Sequence, residues 1–219
     1  RNLPSLATVL QRFLKPCSVL AAMALVLGLA ACKHDPGIIK YPSSMGNLKQ
    51  APHDTTQEDK QSAAQTHTQL AAVYMGQDHL KEAETALNKA VGFDDKYVPA
   101  HTLLAILYWR INRMPEADQE FRTAISLDPS NGDTNNNYGK FLCERGSRQD
   151  AMKYFQRALA DPFYKTPEVA NTNAGACLLK FKDYTAAEPY LRKALENQSG
   201  YGPALLDMAQ LELDKNKAF

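Results

Sequence analysis

Two pairs of side chains in this chain repeat at a spacing of 34 residues and are of types that do chemistry: His67 with His101, and Cys143 with Cys177. Paired imidazoles are a start on a metal site, but zinc and its relatives need a third or fourth ligand. None is evident at a matching spacing, so both histidines read as ordinary surface residues. Paired thiols offer either a disulfide, the expectation in an oxidising compartment, or two buried free cysteines. A bond between them would close a loop of about 34 residues and contribute about 3–4 kcal/mol on the chain-entropy estimate. Gly-rich phosphate loops, His-Glu-x-x-His and nucleophile elbows are all missing from the sequence. No enzyme, cofactor, metal or small-molecule substrate is expected.

A further cysteine, Cys32, closes a different pattern. Three basic residues, Arg1, Arg12 and Lys15, precede the apolar run from Val19 to Ala31, with no acidic residue among them. A positive segment followed by a short apolar one is the mark of a secretory signal peptide, here residues 1–31. A spanning helix needs about 20 apolar residues, and this run ends at Lys33-His34-Asp35-Pro36. The segment Leu29-Ala30-Ala31-Cys32 resembles the lipobox of bacterial lipoproteins, which implies lipidation of Cys32 and a membrane anchor. Lys33 after the cysteine implies sorting to the outer membrane. Residues 33–56 hold Pro36, Gly37, Pro42, Gly46 and Pro52 without an apolar period, so the stretch 32–56 reads as a lipidated cysteine and flexible tether. Its reach is roughly 25–30 Å.

Composition excludes other classes of function. The 219 residues carry 25 basic and 24 acidic side chains, for a net charge of +1, which gives no footprint for a nucleic acid. Removing residues 1–31 leaves 22 basic against 24 acidic, a slightly acidic mature chain. With 44% hydrophobic residues it can bury a core.

The elements that must position these residues come from an internal period. Repeats starting at 64, 98, 132 and 168 place Ala83, Ala117, Ala151 and Ala187 at position 20, and Ala90, Ala124, Ala158 and Ala194 at position 27. Position 24 is Leu87, Phe121, Phe155 and Leu191, always large; position 8 is Ala71, Ala105, Gly139 and Gly175, always small. Small residues let two helices approach, and a large one fills the space between them. A 34-residue period of this kind resembles the tetratricopeptide repeat, so the expected fold is an all-α solenoid of helix-turn-helix repeats, spanning 57–219. Its repeats are 64–97, 98–131, 132–165 and 168–201, with a partial fifth at 202–219. Leu205, Met208 and Leu211 give that last helix an apolar face that wants a partner, which favours a chain continuing beyond Phe219.

Such arrays hold a piece of a partner in the groove lined by their first helices. The groove positions here are Thr102, Ile106, Trp109 and Arg110 in repeat two and Asn136 and Lys140 in repeat three, with Asn137 and Asn173 able to bond a partner's backbone. Trp109 is either a binding hot spot or a core aromatic. Phe163 and Tyr164, in the loop between repeats three and four, are expected to plug the gap between them. Two extra residues in this loop put Cys143 and Cys177 at positions 12 and 10, so their Cβ vectors can diverge, and both readings of the pair stay open.

The stretch Asn136-Asn137-Tyr138-Gly139-Lys140-Phe141-Leu142-Cys143, with Asp161-Pro162-Phe163-Tyr164-Lys165-Thr166-Pro167 leading into Asn173-Ala174-Gly175-Ala176-Cys177, is not generic repeat sequence. Together with the lipobox it resembles the type IV pilus biogenesis and stability lipoproteins, PilF or PilW. That resemblance covers residues 32–219 and implies a pilotin-like assembly factor. Such a factor binds the pilus secretin subunit at the periplasmic face of the outer membrane and promotes its localisation or multimerisation. It also implies that Cys143 and Cys177 are the family's bonded pair. The alternative is a periplasmic adaptor that regulates cell-wall enzymes through the same groove.

Overall fold

A computed structural model describes residues 56–217, and among them are nine helices and no strand. They are α1 (Gln57–Gly76), α2 (Leu80–Phe93), α3 (Val98–Arg110), α4 (Met114–Leu127), α5 (Gly132–Glu144), α6 (Arg148–Ala160), α7 (Pro167–Lys180), α8 (Tyr184–Asn197) and α9 (Gly202–Lys217). The signal segment, Cys32 and nearly all of the tether lie outside the described residues. Thr56, assigned to the tether from sequence, instead caps α1: its hydroxyl accepts from the Asp59 amide while the Asp59 carboxylate accepts from the Thr56 amide. No helix among the described residues is long and apolar enough to cross a membrane.

Every turn from a first to a second helix is built alike. Asp78, Asn112, Gly146 and Lys182 occupy the same repeat position and all have positive φ, at 64°, 61°, 88° and 59°. The next amide reaches back five residues, as in His79 to Tyr74 and Asp183 to Leu178, each at 2.9 Å. This is the Schellman closure, which satisfies helix-end carbonyls that water would otherwise hold. Only Gly146 adopts that backbone without a steric cost.

The small and large repeat residues meet as their sizes demand. Ala83, Ala117, Ala151 and Ala187 are fully buried, as are Leu87, Phe121, Phe155 and Leu191. A Cβ placed on Gly139 would sit 2.8 Å from the Phe155 ring, and one on Gly175 would sit 2.5 Å from Leu191 Cδ2. Successive first helices α1, α3, α5, α7 and α9 approach closely along their backbones, whereas the second helices stand further apart and meet through long side chains, as where Gln156 of α6 donates to Tyr190 of α8 at 3.5 Å. The first helices therefore lie on the inner side of a curved stack and the second helices splay outside it.

The residues of the expected apolar face of α9 divide between buried and exposed. Leu211 is fully buried against the preceding repeat and Met208 half-buried, while Leu205, Leu206 and Leu213 are exposed. The apolar face of this helix is thus already partly partnered by α7 and α8.

Candidate protein-binding groove

The groove floor follows from the first helices, and its residues divide into seam and surface. Thr102 is buried, shares a 2.8 Å hydrogen bond with Thr134 on the next first helix, and so belongs to the seam between repeats two and three. Asn136 is buried likewise, and its Oδ1 accepts from Asn173 Nδ2 at 2.9 Å across the seam between repeats three and four. Asn137 donates to the Asp133 carbonyl within its own helix. Each of the two amides expected to serve a partner's backbone, Asn137 and Asn173, thus has an N–H engaged inside the protein, and both side chains are only half-buried.

Arg110 crosses to the previous first helix, donating to the Met75 carbonyl at 2.7 Å and to Asp78 at 2.9 Å. Lys180 does the same at the end of α5, donating to the carbonyls of Cys143 and Glu144. Both cations cap the negative end of a helix, a stabilising placement. The sequence signal for this was a basic residue at the last helical position of repeats two and four. Trp109 is half-buried in the main core cluster, edge-on to Phe141 at 5.6 Å, with Lys140 Nζ 5.9 Å from its ring centre. Lys140 itself is exposed.

Cys143 and Cys177 are joined, with Cα atoms 5.9 Å apart. The bond ties α5 to α7 within a small core cluster that includes Ala151, Phe155 and Ala174. The two extra loop residues, which made the registers look unequal, are absorbed before α7 begins at Pro167.

The histidines do not pair as ligands. His101 is buried, contrary to the surface reading: its Nδ1 lies 2.7 Å from Glu120 and its Nε2 2.9 Å from the Asp95 carbonyl. Burial disfavours its charge, but the Glu120 carboxylate and the Asp95 carbonyl outweigh that and raise its pKa above the ordinary value. It staples α3 to α4 and to the turn before α3. His67 stacks on Phe93, with ring centres 5.4 Å apart. Among the described residues no group of three His, Cys, Asp or Glu is placed to hold a metal ion.

One cleft does open on the inner side. A pocket of about 270 Å³ lies between α1, α3 and the start of α5, lined by Val98, Leu103 and Ile106 with Asp133 at its edge. Of its lining residues, Thr102 and Ile106 were expected from sequence. Leu103 was missed, although it takes the repeat position held by Asn137 and Asn173 in the next two repeats, and that polar-to-apolar change was the available signal.

The loop between repeats three and four also departs from expectation. Tyr164 packs on Gly132, where a Cβ would lie 2.6 Å from its ring, and so plugs the gap. Phe163 does not: it is 86% exposed. Asp161 fixes this arrangement by accepting from the amides of Gly132 and Phe163, both at 2.9 Å.

Family models for the tetratricopeptide repeat match residues 64–97, 102–165 and 142–202. The chain is 28% identical over 156 residues to the type IV pilus assembly protein PilF of Pseudomonas aeruginosa, covering 71% of this chain and 62% of that one. It thus spans about three fifths of the length of the curated relatives it matches. The crystal structure of PilW, a type IV pilus biogenesis factor, superimposes with a TM-score of 0.66 at 36% identity, covering 68% of this chain and 69% of that one. The structure of Pseudomonas aeruginosa PilF gives 0.67 at 28%, covering 72% and 71%. Helix pairing and these similarities converge: the chain belongs to the PilF and PilW family of type IV pilus biogenesis proteins, built on tetratricopeptide repeats.

Proposed function

We propose that this protein is a lipid-anchored assembly factor for the type IV pilus secretin. In this reading Cys32 carries the lipid at the periplasmic face of the outer membrane, the tether sets its reach, and the inner groove holds a segment of the secretin subunit. The mechanism is binding combined with a raised local concentration, which can strengthen assembly without any chemical step. The observation that carries the reading is the 36% identity to a pilus biogenesis factor over two thirds of that protein's length. The lipobox-like ending at Cys32 and the bonded Cys143–Cys177 pair both suit an exported protein.

The test mixes the purified full chain with purified secretin subunit and reads complex formation by light scattering after gel filtration. A discrete complex is expected. Absence of any complex, together with binding to a cell-wall hydrolase or synthase, would move the protein to the adaptor reading.

A further inference from the structure

We propose that the rim at the start of α5 docks a basic, apolar-anchored segment of the partner protein, with one bulky apolar side chain in the pocket beside Leu103 and Lys or Arg side chains against Asp133 and Glu168. The inference deepens the proposed groove function and rests on it. It differs by assigning the contact to residues outside the repeat's generic groove positions.

Three observations meet at this place. The pocket, at about 270 Å³, has room for a leucine or phenylalanine side chain, and Val98, Leu103 and Ile106 give it apolar walls. Asp133 stands at its edge and is exposed. Immediately before Asp133, Gly132 carries Tyr164, so the Phe163 loop is seated on the same helix start.

Phe163 is the most exposed large hydrophobic side chain among the described residues. It is not loose: the two amide bonds to Asp161 and the ring of Tyr164 against Gly132 hold its backbone. An aromatic held rigidly in water is an interface anchor whose ordering cost has been met before the partner arrives.

Charge decides the partner. Asp133 and Glu168 both act on Tyr164, whose phenol is pushed up to about 12 by burial above all, with these two carboxylates adding to it against a hydrogen bond with Thr166. Lys165 in the loop and Arg157 beside it stand against Asp133, Asp161 and Glu168, so the acidic groups are in excess. An acidic partner segment would meet repulsion there, and a basic one attraction.

The experiment uses the full chain and two fluorescent 12-residue probes, one alternating Lys with Leu and the other Glu with Leu, read by anisotropy at low salt. At least tenfold tighter binding of the Lys probe is expected. The preference should fall severalfold in the Asp133→Asn, Glu168→Gln double variant. Phe163→Ala should weaken the Lys probe severalfold, while Gln119→Ala, exposed on the second helix α4, leaves it unchanged. All these side chains are at least partly exposed, and an unchanged circular dichroism melt checks that each variant folds. Equal binding of the two probes, or a preference unmoved by these substitutions, overturns the proposal. Probe binding as expected with no complex with secretin subunit would instead overturn the partner's identity and leave this surface standing.

Discussion

Replacing Gly175 by Ala separates local geometry from family pattern. Alanine already stands at this repeat position as Ala71 and Ala105, and it favours a helix over glycine by about 1 kcal/mol. Pattern alone therefore predicts a more stable protein. Geometry predicts the reverse, because the new Cβ would lie 2.5 Å from Leu191 Cδ2 and 2.6 Å from its Cγ. Ordinary carbon contacts are about 3.5–4.0 Å. Cγ is the branch point, so both methyls must move, and Leu191 is fully buried with nowhere to go. Overpacking of this kind costs about 1–3 kcal/mol, and a displaced branch point puts it at about 2–3. The net effect is a loss of about 1–2 kcal/mol, or a melting point lower by about 2–8 °C in a chain of this size. A double-mutant cycle isolates the cause. With Leu191→Ala already present, Gly175→Ala should stabilise by about 1 kcal/mol. A rise in stability from Gly175→Ala alone, or the same loss in both backgrounds, would show that contact with Leu191 does not set the effect.

Other substitutions test other joints. Lys182 adopts the left-handed backbone at φ 59°, so Lys182→Gly should stabilise by about 1 kcal/mol, read as a higher urea midpoint. Replacing Cys143 and Cys177 together by alanine should cost about 3–4 kcal/mol, and adding reductant to the parent should reproduce that loss in chemical denaturation. His101 has a raised pKa, so its contribution is complete below about pH 6.5 and disappears as pH rises through the folded value. Urea midpoints across pH 5 to 9 should therefore fall on the alkaline side, and His101→Phe should flatten that slope. The Tyr138 hydroxyl donates to Asp118 at 2.9 Å, so Tyr138→Phe should cost about 0.5–1.5 kcal/mol by the same assay.

The helix pairs were legible in the sequence because packing size is periodic: position 8 is small and position 24 large in all four repeats, and the structure brings those residues together at Gly139–Phe155 and Gly175–Leu191. The seam was not legible. Thr102 and Asn136 fall at a groove position by count, yet the neighbouring first helix covers them and uses their polar atoms. Only the curvature of the stack decides that, and curvature is a sum of small rotations that no single repeat encodes. Phe163 and Tyr164 are adjacent and chemically alike, and which one is buried depends on the missing side chain of Gly132, 31 residues before Phe163. His101 hid its role for a related reason, since its partners Glu120 and Asp95 sit in different elements.

Secretin assembly itself is read best in cells. The gene is deleted and restored as the parent or as Cys32→Ala, and membrane fractions are assayed for heat-resistant secretin multimers alongside surface pili. Deletion should remove multimers and pili with secretin monomer still present, the parent should bring them back, and Cys32→Ala should fail to restore multimers in the outer membrane. Unchanged multimers and pili in the deletion strain would contradict a role in secretin assembly.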